Sequence, residues 1–392
     1  MQEAFIVSAA RTPIGKFGGS LASLTAVDLG VVAAKAALAR AGVDPKQVEE
    51  TIFGNARQAG GGPNPARQIS LRSGIPQEAP AYTVNKACAS GMKSIALAYQ
   101  EILLGNSECV LAGGTESMSR LPYYLEGARF GYRLGNQEIV DGMTRDGFYC
   151  PMAQMLMGET AEVLAAQYQI SHEEQDEFAL TSQQRAAEAI AKGYFQNEIA
   201  PVTIAGKKGP QVFAADEHPF PAATLEKLAK LAPVFSKTGT ITAGNSSGIT
   251  DGAAAVVVAS GPFIERNHLK PLARIVAITT AGVDPKIMGI GPVPAVHKME
   301  RKHNLQLADF DLVELNEAFA AQVLACDREL HFDRARLNVN GGSIALGHPI
   351  GCTGTRITVT LLHEMLRRGA KRGLATLCVS GGMGMALALK GI

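Results

Sequence analysis

Short apolar segments alternate with a longer helical pattern in this chain, and that alternation limits the possible folds more than any other feature. Residues 4–9, 51–53 and 108–112 are apolar runs of strand length, and we expect the third to end at residues 113–114, a Gly-Gly pair. Residues 89–104 have the length of a helix that is apolar on most faces. Strands that alternate with helices predict an α/β fold, in which helices cover both faces of a parallel or mixed sheet.

The part of the chain after about residue 270 repeats this plan. Three pairs of segments carry similar residues in the same order: 90–93 with 353–356, Gly105 with Gly369, and Cys109 to Gly114 with Cys378 to Gly382. We therefore predict an internal duplication, with one half formed by residues 1–117 and about 250–269 and the other by residues 270–392. Residues 118–249 break the pattern and form a predicted insertion. Its five methionines suit a cover over a ligand as well as ordinary core packing.

Charge and cysteine content exclude several classes of protein. The chain has 37 Lys and Arg against 36 Asp and Glu, a net charge of +1, and no cluster basic enough to bind nucleic acid. Its six cysteines include no Cys-x-x-Cys pair, so we predict neither a metal site nor a disulfide framework. No apolar run approaches the roughly 18 residues of a membrane span, and the N-terminus resembles no targeting segment. We expect a cytoplasmic protein that does not bind membranes.

A glycine-rich segment at residues 340–351 contains a single histidine, His348. Glycines allow the backbone to turn tightly and to approach a ligand closely. Two further segments of small residues contain Cys88 and Cys378. Two cysteines and a histidine in such loops indicate nucleophilic acyl chemistry.

Cys88 directly precedes the predicted helix at 89–104. A helix N-terminus lowers the pKa of a thiol and offers backbone N–H groups to an anion, so Cys88 suits a thiolate nucleophile with an oxyanion site beside it. The alternative is a buried structural cysteine. His348 precedes the matching helix, where the duplication would face it toward Cys88 and a neutral imidazole would accept the thiol proton. The alternative is a loop histidine that only satisfies hydrogen bonds.

A second cysteine and an asparagine extend this candidate site. Hydrolases and acyltransferases of the Cys–His type need one cysteine, so Cys378 suggests a separate proton transfer, at the α-carbon of a thioester. We assign the other cysteines, including Cys109, to packing. Asn316 follows the strand-like residues 312–315 and, taken alone, equally suits a strand-end cap.

Together with Asn-Glu-Ala-Phe-Ala at 316–320, the segments around Cys88, His348 and Cys378 closely resemble the thiolase family over essentially the whole chain. The resemblance implies a five-layered αβαβα fold of two similar halves, with the insertion as a loop domain over the acyl-CoA site. It also implies that Cys88 is the nucleophile and that Cys378 is the acid or base at the α-carbon. Asn316 would hold a water that, with His348, stabilises the enolate oxygen of acetyl-CoA.

The same resemblance implies a binding region for coenzyme A, which is a substrate and not a tightly bound cofactor. Seven residues would line its pantetheine arm and acyl group: Ala243, Ser247, Phe148, Met157, Met288, Ala318 and Phe319. Without the resemblance, these mostly apolar residues equally suit a protein core.

Three positions depart from the family's usual residues. Leu156 stands where short-chain biosynthetic thiolases usually have a histidine, and Phe220 stands where an arginine is expected near the nucleotide of coenzyme A. These two changes bear on the preference for acetoacetyl-CoA and on coenzyme A affinity. Ser380 replaces a commoner glycine, but its backbone N–H stays available.

The predicted function is that of an acyl-CoA:acetyl-CoA C-acyltransferase with a ping-pong mechanism, foremost an acetyl-CoA acetyltransferase that makes or cleaves acetoacetyl-CoA. The alternative is a β-oxidation thiolase that cleaves longer 3-ketoacyl-CoA. A ketoacyl synthase is disfavoured because it needs no second catalytic cysteine, and a non-catalytic CoA-binding scaffold because all four candidate residues are present. The resemblance further implies a homodimer or homotetramer.

Overall fold

The structure, a computed structural model, describes residues 2–206 and 209–392. Within these residues the strands are β1 (Ala4–Arg11), β2 (Gly15–Lys16), β3 (Glu50–Gly54), β4 (Ala81–Val84), β5 (Cys109–Ser117), β6 (Tyr123–Tyr124), β7 (Val140–Asp141), β8 (Tyr149–Cys150), β9 (Met155–Leu156), β10 (Val202–Ile204), β11 (Gln211–Phe213), β12 (Thr250–Ser260), β13 (Ala273–Gly282), β14 (Leu312–Leu315), β15 (Arg372–Val379) and β16 (Met383–Gly391). The α-helices are α1 (Ala26–Ala41), α2 (Pro65–Arg72), α3 (Ser90–Leu104), α4 (Met157–Gln167), α5 (His172–Ala191), α6 (Leu225–Leu228), α7 (Gly261–Arg266), α8 (Pro292–His303), α9 (Ala320–Leu330), α10 (Ser343–Leu346) and α11 (Ile350–Arg368). Not one of these described helices has both the length and the apolar character needed to cross a membrane.

One large sheet organises the molecule, in the order β4-β3-β5-β12-β1-β13-β16-β15-β14. Its two parts meet at a short contact, because β1 and β13 pair only through Phe5 with Arg274 and Ile6 with Ala273. Both parts have the same plan. Parallel β3 and β5 are followed by antiparallel β12 and β1, just as parallel β14 and β15 are followed by antiparallel β16 and β13. β4 extends the first part by one more parallel strand.

The matching strand orders agree with a duplicated chain. The first part of the sheet takes its strands from residues 1–117 and 250–260, and the second takes all of its strands from residues 270–392. The intervening residues supply the small strands β6 to β11 and the helices α4 to α6. We therefore propose the predicted boundaries as those of two similar halves and an insertion at 118–249.

Helices lie outside each part of the sheet and between the two parts. α1 and α2 cover the outer face of the first part, α8 and α9 cover that of the second, and α3 and α11 lie in the middle. Successive side chains of a strand point to opposite layers, so that Val256 packs in the central core and Val257 in the outer core with α1. The predicted five-layered αβαβα fold is confirmed.

The two central helices approach each other closely near their N-termini. A Cβ atom at Gly91 would lie 2.6 Å from Thr355 Oγ1, and one at Gly354 would collide with the backbone of Met92. Only glycine leaves room for this crossing. The crossing brings the residues that precede α3 next to those that precede α11.

The predicted pairing of Cys109 with Cys378 is wrong. Cys109 begins β5, whereas Cys378 lies near the end of β15. The pairing of Gly105 with Gly369 agrees with the structure, since both glycines end a central helix in the left-handed conformation, with φ of 75° and 65°. The two similar Gly-Gly pairs therefore have different places in the fold. Gly113 and Gly114 lie inside β5, whereas Gly381 and Gly382 lie between β15 and β16.

The expectation that the third strand ends at Gly113-Gly114 is also wrong, because β5 continues to Ser117. The glycines are needed inside the strand for packing. A Cβ atom at Gly113 would collide with the Phe53 ring, and one at Gly114 with the Gly351 carbonyl at the start of α11. The strand thus passes directly beneath the central helices.

Candidate active site

Cys88 lies in a tight turn directly before α3. The Ser90 hydroxyl donates to the Ala87 carbonyl (2.6 Å) and accepts from the Lys86 N–H (2.8 Å). Ala87 adopts the left-handed conformation (φ 45°), which is strained for a residue with a side chain and recurs at functional sites. These local bonds hold the Cys88 thiol at the start of the helix.

The surroundings of the Cys88 thiol act on its pKa in opposite directions. Burial raises the pKa, whereas the backbone N–H of Ser380, the charge of Arg57 and the N–H of Cys88 itself lower it. The net effect is a pKa above the ordinary 9.0: the lowering expected at a helix N-terminus is present in the N–H of Cys88, but desolvation outweighs it. The resting thiol keeps its proton at neutral pH and needs a base. The same two N–H groups are suited to bind an oxyanion.

His348 lies between α10 and α11, and a hydrogen-bonded threonine fixes its tautomer. Its Nδ1 lies 2.6 Å from Thr353 Oγ1, and that hydroxyl donates to the Pro349 carbonyl (3.0 Å). Because Thr353 has only one proton, Nδ1 carries a hydrogen, which leaves the Nε2 lone pair free to accept a proton. Burial, with the charges of Arg356 and Arg57, lowers the pKa of His348 to about 3, so the imidazole is neutral at physiological pH.

Glu116 connects the start of α11 to the loop after β3. Its buried carboxylate accepts the N–H groups of Gly351 (2.8 Å) and Ala56 (3.1 Å). Burial raises the pKa of Glu116 to about 6. Ala56 and Ile350, from the two connected segments, belong to the apolar cluster that packs against Cys88. Glu116 thereby holds the histidine loop beside the cysteine turn.

Cys378 lies near the end of β15 and is completely buried. Burial raises its pKa well above 9.0, and the Cys88 sulphur raises it further. Val379, the next residue, belongs to the apolar cluster against which Cys88 packs. Gly381 and Gly382, with φ of 87° and 83°, form the turn into β16. The turn directly follows Ser380, whose backbone N–H lowers the pKa of Cys88.

Asn316 directly follows β14 and is held by its backbone and its side chain. Its N–H donates to the Thr376 carbonyl of β15 (3.0 Å), and its Oδ1 accepts from the Ser343 hydroxyl (2.6 Å). Its Nδ2 is buried and has no hydrogen-bond partner among the described residues. A buried donor without a protein partner suits a water or a substrate oxygen.

Most of the candidate coenzyme A residues lie around the two cysteines. Met157, Met288, Ala318 and Phe319 form one apolar cluster with Cys378. The remaining aromatic candidate, Phe148, packs instead in the cluster beside Cys88. The apolar candidates therefore divide between the two thiols.

Ser247 and Ala243 lie in the loop that precedes β12. The Ser247 N–H donates to the Ala318 carbonyl (3.0 Å), so this serine adjoins the cluster around Cys378. Ala243 is exposed at the surface. Of the two predicted pantetheine contacts, Ser247 therefore adjoins the cluster around Cys378, whereas Ala243 lies away from it at the surface.

The two unusual residues occupy different environments. Leu156 is half-buried and precedes α4, directly beside Met157. Phe220 is 51% exposed, and the Lys227 ammonium lies 5.5 Å from the centre of its ring. A cation therefore lies next to the position where the resemblance led us to expect an arginine.

Four residues of the site were missed by sequence reasoning: Arg57, Glu116, Ser343 and Thr353. Arg57 is buried, and its Nε has no hydrogen-bond partner among residues 2–206 and 209–392. Its sequence neighbours gave no sign of this burial. Thr353 alone had a local signal, since a hydroxyl in the first turn of a helix faces the loop before it.

Known proteins resemble this chain over its full length. The family model for the thiolase N-terminal domain matches residues 4–261, and that for the thiolase C-terminal domain matches residues 269–391. The acetyl-CoA acetyltransferase of Cupriavidus necator is 52% identical over 391 residues, which cover 100% of both chains.

Solved structures agree with that match. The crystal structure of the Bacillus anthracis acetyl-CoA acetyltransferase has a TM-score of 0.98 at 49% identity, over 100% of this chain and 99% of that one. Human mitochondrial 3-ketoacyl-CoA thiolase in complex with CoA has a TM-score of 0.96 at 47% identity, over 100% of this chain and 98% of the other. On sequence and on structure alike, the chain belongs to the thiolase family.

Proposed function

We propose that this thiolase is an acetyl-CoA acetyltransferase, which cleaves acetoacetyl-CoA with coenzyme A or forms it from two acetyl-CoA. The observation that carries the proposal is the packing of Ile350, two residues after His348, in one apolar cluster with Cys88, while Asn316 and Cys378 lie at the ends of the paired strands β14 and β15. The His348 imidazole is neutral, and Asn316 Nδ2 is buried without a hydrogen-bond partner among the described residues. The relative of that name from Cupriavidus necator, 52% identical over the full chain, supports it.

In the direction of cleavage, Cys88 attacks the keto carbon of acetoacetyl-CoA. His348 Nε2 accepts the thiol proton, and the N–H groups of Cys88 and Ser380 stabilise the oxyanion. The bond between C2 and C3 then breaks. Its electron pair moves to C2 and leaves the enolate of acetyl-CoA, while the acyl group stays on Cys88.

The enolate must be stabilised and then protonated. The protonated Nε2 of His348 and a water held by Asn316 Nδ2 donate hydrogen bonds to its oxygen. Cys378 donates its proton to C2, which releases acetyl-CoA and leaves a thiolate. Because burial raises the pKa of Cys378 well above 9.0, this thiol holds its proton until the carbanion forms.

Coenzyme A then completes the cycle. Its thiol gives a proton to the Cys378 thiolate and attacks the acyl group on Cys88. The Cys88 thiolate leaves and recovers its proton from His348, so every proton is accounted for. Condensation is the reverse sequence.

Coenzyme A acts here as substrate and product. Its pantetheine arm would lie along Ser247 and the cluster of Met157, Met288, Ala318 and Phe319, with Phe148 beside the acyl group and Ala243 at the outer end. The human relative described in complex with CoA supports this assignment. The cytoplasmic location and the homodimer or homotetramer stay predictions.

A 3-ketoacyl-CoA thiolase for longer chains is the second candidate. Leu156 favours it, since an apolar side chain lies next to Met157 where short-chain enzymes usually have a histidine. Human mitochondrial 3-ketoacyl-CoA thiolase, at 48% identity and a TM-score of 0.97, also supports it.

Thiolysis assays across 3-ketoacyl-CoA substrates from four to sixteen carbons separate the two candidates. Activity confined to acetoacetyl-CoA supports the acetyltransferase. Activity that persists or rises with chain length supports the second candidate. A purified protein that cleaves none of these substrates would contradict both.

A further inference from the structure

A buried serine links the Asn316 amide to a buried arginine. The Ser343 hydroxyl donates to Asn316 Oδ1 (2.6 Å), and Arg356 Nη2 donates to the Ser343 oxygen (2.7 Å). All three side chains are at most 1% exposed. The three residues come from separate elements, since Asn316 follows β14, Ser343 begins α10 and Arg356 lies on α11.

The direction of these bonds follows from the donor arginine. A guanidinium has no acceptor, so the Ser343 oxygen must accept from Arg356 and its single proton must go elsewhere. That proton goes to Asn316 Oδ1. The amide is thus oriented with its Nδ2 on the opposite side, where no described residue accepts a hydrogen bond from it.

Arg356 is an expensive residue to bury merely for packing. Its Nε and Nη1 have no hydrogen-bond partner among the described residues, and the carboxyl group of Glu314, which burial keeps protonated up to about pH 8, lies 4.0 Å from Nη1. A buried charge that lacks a full partner destabilises the folded state. Among residues 2–206 and 209–392, the one close bond that Arg356 makes to another side chain is the bond to Ser343. The burial of Arg356 is explained if its role is to orient the Ser343 hydroxyl.

We propose that Ser343 and Arg356 are positioning residues that keep the Asn316 amide N–H facing the water that donates to the enolate oxygen. This inference depends on the proposed function, since it assigns a cause to the enolate stabilisation. Without the Ser343 hydroxyl the amide is free to rotate by half a turn. Its oxygen would then accept a proton from that water, which loses the N–H donor that strengthens its hydrogen bond to the enolate.

The test uses Ser343→Ala and separates enolate formation from acyl transfer. We expect cleavage of acetoacetyl-CoA, and exchange of the acetyl-CoA methyl protons with deuterated solvent, to fall roughly 10- to 100-fold. Acetyl exchange between acetyl-CoA and labelled coenzyme A should stay within about twofold, because no enolate forms when Cys88 is acylated. The loss should appear in kcat and not in KM.

Two further variants control for simple loss of a buried hydroxyl. Ser94→Ala removes a buried serine of α3 whose single hydroxyl proton is shared between two backbone carbonyls, those of Gly91 (2.7 Å) and Gly113 (2.6 Å). It should leave the ratio of the two activities unchanged. Ser343→Thr keeps the hydroxyl and should recover part of the enolate activity. Adding Ser343→Ala to Asn316→Ala should cause little additional loss, because both changes remove the same interaction.

Each outcome decides the proposal. An equal loss of both activities in Ser343→Ala would show a structural role and overturn it. Unchanged cleavage and deuterium exchange would overturn it as well. A wild-type protein that neither cleaves acetoacetyl-CoA nor exchanges the methyl protons would instead overturn the proposed function, and this inference with it.

Discussion

The starts of α3 and α11 are equivalent in the duplicated fold, yet they are stabilised in different ways. The turn around Cys88 is held by short-range bonds, since Ser90 contacts backbone groups no more than four residues away. The loop around His348 depends on distant segments, because Glu116 of β5 binds the Gly351 N–H. The geometry of the nucleophile is therefore encoded locally, whereas that of the base requires the folded molecule.

The two regions also differ in buried charge. On α11 lies the buried Arg356, and facing it is Glu314, whose pKa burial raises to about 8. The apolar cluster that packs against Cys88 contains Met118, Met143 and Ile350. The dependence of stability on pH should accordingly be concentrated on the side of His348.

Replacing Cys88 or Cys378 with alanine gives the largest expected losses of activity. Cys88→Ala should abolish acyl transfer, with a loss of at least about 10⁴-fold, because no other group accepts the acyl chain. Cys378→Ala should lose cleavage of acetoacetyl-CoA but still form an acetyl-enzyme at Cys88, which intact-protein mass spectrometry after incubation with acetyl-CoA detects. Wild-type turnover in Cys378→Ala would disprove its role at the α-carbon.

The contrast between the two regions also explains what the sequence could predict. Cys88, His348, Cys378 and Asn316 were identified because each lies in a short segment of recognisable composition. Local signals also located the central helix at 89–104, which the structure places at Ser90–Leu104.

Features that depend on tertiary contacts were missed or wrong. The pairing of Cys109 with Cys378 followed two similar glycine pairs, but the glycines of β5 are dictated by Phe53 and Gly351, which are distant in sequence. The sign of the shift in the Cys88 pKa required its burial, which no local pattern shows. Arg57 resembles a surface charge until the folded loop encloses it.

Thr353→Val breaks the contact that fixes the His348 tautomer. Without the hydroxyl as an acceptor, Nδ1 no longer holds its proton in place, and we expect kcat to fall roughly 10- to 100-fold. Thr353→Ser should retain most activity. A matched control is Thr358→Val, which removes the same kind of bond to the carbonyl four residues earlier (2.9 Å) on the same helix. Equal losses in the two valine variants would mean that helix stability, and not the tautomer, was affected.

Arg57→Leu tests electrostatic support for the nucleophile. The Arg57 charge lowers the pKa of Cys88, so its removal should raise that pKa further and shift the pH profile of thiol alkylation by iodoacetamide to higher pH. At neutral pH the alkylation rate should fall by up to about tenfold. Arg57→Lys keeps the charge and should move the profile less. An unshifted profile in Arg57→Leu would show that the charge is screened from Cys88.

Glu314→Gln should have the smallest effect, a change in how stability depends on pH. Folded Glu314 keeps its proton up to about pH 8, whereas in the unfolded chain it ionises near its ordinary pKa of 4.5. The folded state therefore binds more protons between these values, and the free energy of unfolding falls as the pH rises through this window. In Glu314→Gln the free energy of unfolding should therefore decrease less steeply with pH. Urea unfolding at a series of pH values measures this dependence.

Glu116→Gln sharpens the same comparison, because burial raises the pKa of Glu116 only to about 6. Removing the Glu116 carboxyl group should alter the slope of the unfolding free energy against pH between about pH 4.5 and 6, and leave it unchanged at higher pH. Removing that of Glu314 should alter the same slope up to about pH 8. Glu116 connects the two regions, while Glu314 lies 4.0 Å from Arg356 of α11. If both variants changed the slope over the same window, the two carboxylates would titrate as one unit. The separation between a locally held nucleophile and a charge-supported base would then fail.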